Sequence, residues 1–300
     1  MVACESHILP ATGRIMASFA LHTWHSGDGL ALSARIYPGD PARTPVLCLP
    51  GLTRNARDFE DLAAAIAPQR RVICPDLRGR GLSAYAPDPM TYAPAHYLGD
   101  VLALLAGLQI ERFVAIGTSL GGLLTMMLAS VAPDRIAGAV LNDIGPHIDP
   151  AGLARIRGYV GVAARYPGWD AAARALAVAQ GDTYPGFAHD DWLRMARRTM
   201  REDAGTIVFD YDMAIAQPFA ADDGATPAPD LWPLFDALGA APVTVVRGGT
   251  SDILSAATAA TMQARHAGLD LHVVPGVGHA PTLDEPPVRA AIARLLDQVP

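Results

Sequence analysis

"AIGTSLGGLL", residues 115–124, sets a single serine, Ser119, between Gly117 and Gly121, directly after the apolar run 113–116. Two readings compete for a hydroxyl at the end of a buried strand. In one, glycines allow a strand-to-helix turn to pack tightly and Ser119 caps the helix that follows. In the other, a strained turn projects Ser119 out of the sheet toward a substrate, as a nucleophile. A short Gly-x-Ser-x-Gly match arises often by accident, so the rest of the chain has to decide.

Around this stretch, short β-rich runs alternate with longer amphipathic ones, the rhythm of a mostly parallel sheet covered on both faces. The runs at 45–51, 71–76, 112–119 and 136–143 read as buried strands, and 32–37 as an edge strand. Helical spacing of apolar residues falls at 57–67, 94–108 and 120–132. From 147 to 232 there is no convincing strand, only helical segments broken by "RYPGWD", "GDTYPG" and "FAADDGATPAPD". Strand and helix then return at 242–249, 255–267, 271–276 and 286–296. The fold class expected is α/β: a mostly parallel twisted sheet with helices on both faces and a helical cap insertion. The core would span 17–146 and 233–300 and the cap 147–232.

Composition narrows the function. The chain has 300 residues, 51% hydrophobic and 18% charged, enough for a substantial core. A formal net charge of -7 gives no general attraction to nucleic acid or anionic membranes, and points to a small-molecule ligand. Lysine is absent from the sequence, which excludes a Schiff-base lysine, a P-loop lysine and a Ser-Lys pair. Cys4, Cys48 and Cys74 are widely spaced, and the last two sit in apolar runs, so buried free thiols are expected. Neither paired-cysteine nor His-Glu-x-x-His metal spacing occurs, and no metal or other cofactor is assigned. With no continuous apolar leader or spanning segment, a cytoplasmic location is expected, and residues before about Met16 read as a tail without periodicity.

Open α/β sheets keep their ligands at the carboxyl ends of the strands. Four such ends are chemically loaded: "PGLTRN" at 50–55, Ser119, "GGTSD" ending in Asp252, and "PGVGHAPTLDEP" containing His279. The order is serine, acid, histidine. With "PDLRGRGLS" at 75–83 and the terminal "GVGHAPTLDEP", the chain resembles the α/β-hydrolase fold superfamily from about Trp24 to Leu296.

The resemblance implies Ser119 as nucleophile, His279 as the base that takes its proton, and an acid that orients His279. Asp252 is favoured by position. Asp143, in "LNDIGP", is the alternative acid, with anchoring of the chain's departure into the cap as its other role. Asp76 is expected to hold the "RGRG" loop through backbone amides. Backbone N–H groups of Leu52 and Leu120 would form an oxyanion hole. The family commonly has His-Gly where this chain has Pro50-Gly51, which removes a side chain that often organises that loop. Arg54 and Asn55 are possible substrate contacts, although Asn55 equally suits an N-cap. Cap aromatics such as Tyr159, Tyr184 and Trp192 are expected mostly in the cap's own core, and the run 194–201 is expected to be a solvated helix face. The activity implied is cofactor-free cleavage of a small carboxylic ester or lactone. Carbon–carbon bond hydrolysis of ring-cleavage products and non-catalytic ligand binding are the alternatives.

Overall fold

The computed structural model describes residues 18–221 and 229–300. Cys4 and the expected N-terminal tail, with its boundary near Met16, lie outside the described residues.

An eight-stranded sheet forms the framework. Its strands are β1 (Ala20–His25), β2 (Ala31–Tyr37), β3 (Val46–Leu49), β4 (Val72–Asp76), β5 (Phe113–Thr118), β6 (Ile136–Asn142), β10 (Val243–Gly248) and β11 (Leu269–Val274). They lie in the order β1-β2-β4-β3-β5-β6-β10-β11. The pairs β1–β2 and β2–β4 are antiparallel, and every pair from β4 to β11 is parallel. The expected edge strand is therefore an interior one, because β1 covers it. Sequence periodicity misses β1 since only Trp24 among its side chains is buried, with its indole N–H donated to the Asp100 carbonyl at 3.0 Å.

Alternate residues of the central strands feed two cores, as the two-residue repeat of a strand requires. Leu47, Leu49, Ile73 and Ala115 face α2 (Pro94–Gly107), α3 (Leu120–Val131) and α9 (Ala256–Arg265). Val46, Cys48, Val72, Cys74, Val114 and Ile116 face α1 (Glu60–Ile66) and α10 (Pro286–Asp297). Cys48 and Cys74 are buried free thiols, and burial pushes the Cys74 thiol well up.

Between β6 and β10 the chain leaves the sheet. It forms α4 (Pro150–Tyr159), α5 (Trp169–Gln180), α6 (His189–Thr199), α7 (Gln217–Ala221) and α8 (Trp232–Asp236). Contrary to the all-helical expectation, it also carries β7 (Arg165–Tyr166), β8 (Met200–Asp203) and β9 (Thr206–Phe209), paired antiparallel in the order β7-β9-β8. These strands are two to four residues long and half exposed, too short for an alternating pattern to register. Tyr184, Trp192, Met195 and Ile207 give the segment its own apolar cluster.

Candidate active site

The chain reverses its direction of growth across the sheet at β3, with β4 on one side and β5 on the other. The carboxyl ends of the strands at such a switch point are where open α/β sheets place their ligands. Ser119 stands there, one residue past β5, with φ 52° and ψ -115°. A non-glycine residue at positive φ is strained by its Cβ. Its side chain makes no cap hydrogen bond to α3, so the capping reading of this serine does not describe the structure. The flanking glycines are steric necessities: a Cβ on Gly121 would lie 2.0 Å from the Leu49 carbonyl oxygen, and one on Gly117 would lie 2.3 Å from the Gly121 carbonyl. Gly121→Ala is expected to lower stability by about 3 kcal/mol or more, since backbone rather than a flexible side chain would have to give. Thermal unfolding beside the wild type checks it, and an unchanged midpoint would refute the close packing.

His279 lies in the loop after β11. Its Nε2 is 2.9 Å from Ser119 Oγ, and its Nδ1 is 2.8 Å from Asp143 Oδ2. Asp143 is fully buried at the end of β6, with its other carboxylate oxygen accepting the Gly248 N–H at 2.8 Å. His279 is thus paired with Asp143 and not with Asp252, the carboxylate favoured by position in the sequence. Asp252 is bound through both carboxylate oxygens to Arg155 of α4 at 2.5 and 2.8 Å. That pairing holds the Asp252 carboxyl below its ordinary range. The physical reason is strand order. β6 is the immediate neighbour of β5, so the first residue beyond it already sits beside Ser119, whereas β10 is one strand further out.

The loop after β3 closes the other side. A Cβ on Gly51 would be 3.8 Å from Ser119 Cβ, so Leu52 follows directly on the contact. The Leu52 carbonyl accepts the Arg80 Nε–H at 2.8 Å. Arg80 is fully buried, its guanidinium over the Tyr97 ring at 4.7 Å. Leu120 heads α3, where the first N–H groups have no partner within the helix. Asp76 accepts the Ala56 N–H at 2.7 Å and the Leu82 N–H at 3.0 Å, the loop-holding part expected of it.

Both suggested substrate contacts already have partners within the protein. Asn55 is fully buried, caps the next turn through the Arg57 N–H at 3.0 Å and donates to the Arg198 carbonyl at 3.0 Å. Arg54 is committed to Asp58 through two hydrogen bonds of 2.6 and 2.7 Å. Burial works against its charge, but Asp58 more than offsets this and raises its pKa above the ordinary value.

On the inserted segment, Tyr184 and Trp192 are buried in its own cluster as expected, while Tyr159 is 45% exposed. The run 194–201 is not uniformly solvated: Arg198 is buried, paired with Asp61 and, at 3.1 Å, with Asp284. Arg57 donates to Asp210 at 2.6 Å and to the Met200 carbonyl at 3.2 Å. Sequence reasoning also passed over Arg80, although it stands inside the "RGRG" motif that carried the resemblance.

Three comparisons agree with this architecture. The family model described as alpha/beta hydrolase fold matches residues 44–286. A crystal structure of an alpha/beta hydrolase from Novosphingobium aromaticivorans superimposes with a TM-score of 0.91 at 60% identity, covering 95% of this chain and all of the other. A 3-hydroxybutyrate-oligomer hydrolase of Cupriavidus necator is 35% identical over 261 residues, 83% of this chain and 87% of that protein. An esterase of Mycobacterium tuberculosis is 28% identical over 281 residues, 88% of this chain and 85% of its own.

Proposed function

Because the chain belongs to the α/β-hydrolase fold family, we propose that this hydrolase is a serine hydrolase cleaving a small carboxylic ester or lactone. The observation that carries the reading is the unbroken hydrogen-bond chain from Ser119 Oγ through His279 to the buried Asp143. A hydroxyl becomes an effective nucleophile when a base accepts its proton during attack, and a nearly neutral imidazole suits that task. With Asp143 holding the Nδ1 proton, Nε2 presents its lone pair to Ser119.

Attack of Ser119 Oγ on the ester carbonyl passes the hydroxyl proton to His279 Nε2 and forms a tetrahedral oxyanion. The N–H groups of Leu52 and Leu120 receive that oxyanion, with the dipole of α3 in support. Collapse breaks the carbon–oxygen bond to the alcohol, which leaves with the proton from His279. Water, deprotonated by the same nitrogen, then hydrolyses the acyl-serine. Arg80, through the Leu52 carbonyl, holds the loop that bears one of the two donors. The described residues between β6 and β10 form a cap whose inner wall selects the acyl group.

Two of the relatives support the ester reading. One is named an esterase, and the other a hydrolase of 3-hydroxybutyrate oligomers, which are linear esters of a small hydroxy acid. The test offers purified enzyme short p-nitrophenyl esters, a linear 3-hydroxybutyrate dimer, a lactone and a ring-cleavage diketone, and repeats the panel with Ser119→Ala. Turnover of esters or lactone, lost in the variant, is expected. Turnover of the diketone alone would reassign the chain to carbon–carbon bond hydrolysis, and binding without turnover of any substrate would make it a binding protein.

A further inference from the structure

The loop that carries His279 is held from the inserted segment as well as from the sheet. On the sheet side, Asn142 Nδ2 donates to the Pro281 carbonyl at 2.8 Å. On the inserted side, the Gly278 N–H donates to the Thr183 carbonyl at 2.9 Å and the Tyr184 hydroxyl donates to the Ala280 carbonyl at 2.8 Å. Val277 packs its side chain onto the apolar cluster that contains Tyr184. The residue before His279 and the residue after it are therefore each bonded to the consecutive pair Thr183 and Tyr184.

We propose that Tyr184 is a positioning residue for His279: by fixing the Ala280 carbonyl while Thr183 fixes Gly278, it makes the inserted segment part of the machinery that aims the base at Ser119. This rests on the serine-hydrolase reading above. The geometry suits the role. Tyr184 is buried, its ring stacked on Phe187 at 4.6 Å between centroids and edge-on to Trp192 at 6.0 Å, so the hydroxyl has a rigid mount. Burial pushes its phenol up to about 12, which keeps it a donor at any working pH. The imidazole needs such support because displacement of a reacting group by about 1 Å costs on the order of 10²-fold in rate.

The test is Tyr184→Phe, which removes the hydroxyl and keeps the ring. The expected result is a kcat lowered about 10- to 100-fold with KM nearly unchanged, and an equal loss in the rate at which a small fluorophosphonate inactivates the enzyme. The probe is too small to need the acyl pocket, so its rate reports the Ser119 and His279 pair. A raised KM with kcat and probe rate intact would make Tyr184 a pocket wall and overturn the proposal, as would no change at all.

A second perturbation works from the other side. Gly278→Ala places a methyl 3.2 Å from Thr183 Cγ2 and pushes the seam apart. It should lower the probe rate, and adding Thr183→Ser, which deletes that methyl neighbour, should restore most of it. Failure of the double variant to recover would overturn the proposal even if Tyr184→Phe did not fold. A wild type inert to both probe and esters would sink the serine-hydrolase reading and this one with it. A reactive wild type matched by Tyr184→Phe overturns the positioning role alone.

Discussion

Ser119→Ala is expected to stay folded and to lose at least about 10³-fold in kcat, with no reaction toward a fluorophosphonate. The loss is large because nucleophile and base act as a unit: with the hydroxyl gone, His279 Nε2 has no proton to take, and only the oxyanion donors and substrate binding remain. The fold should hold because the Ser119 hydroxyl makes no cap bond and its backbone N–H, bonded to the Asn142 carbonyl at 2.9 Å, is retained. The strain at φ 52° supplies a second measurement. Ser119→Gly frees the position from its Cβ and should unfold at a higher temperature than Ser119→Ala, by about 1–3 kcal/mol of released strain. Near-normal ester turnover by Ser119→Ala would end the proposed mechanism. A glycine variant less stable than the alanine one would mean that the elbow is not strained as its dihedrals indicate.

The parts of this molecule that were legible in its sequence are those where burial leaves a local mark. β3 to β6 are buried almost residue for residue, so each is an apolar run that ends at or beside Gly, Pro or Asp. Gly117 and Gly121 mark the elbow because no other residue fits the backbone contact. Features fixed by partners far away in the chain left no such mark. Arg198 sits in a run of arginines that reads as a wet helix face, and only the fold brings Asp61 and Asp284 to it. Tyr184 reads as one more core aromatic of the inserted segment, and its bond to the His279 loop is visible only once "GVGHAP" is laid against it. The acid was the same kind of problem. Asp143 and Asp252 both follow strands, and local sequence carries no information on which strand lies beside β5.

Asp143→Asn is therefore expected to lower kcat by about 10⁴-fold, while Asp252→Asn stays within about threefold of wild type. The geometry says why an amide so close in shape should fail. One oxygen of Asp143 accepts the Gly248 N–H and the other faces His279 Nδ1. An asparagine must turn its carbonyl oxygen to Gly248, because its NH₂ cannot accept that hydrogen. The NH₂ then points at Nδ1 and demands a lone pair there, which places the imidazole proton on Nε2, against Ser119. In that tautomer His279 cannot take the hydroxyl proton, although every heavy atom is in place. At Asp252 the change removes only an ion pair with Arg155 that is about a third or more exposed on both sides, the kind worth at most about 1 kcal/mol. Both variants should be measured on one ester substrate at a single pH, with the fold checked by circular dichroism. A greater loss of kcat for Asp252→Asn than for Asp143→Asn, both folded, would return the acid role to the loop after β10 and leave the buried carboxylate as an anchor for the chain's exit from the sheet.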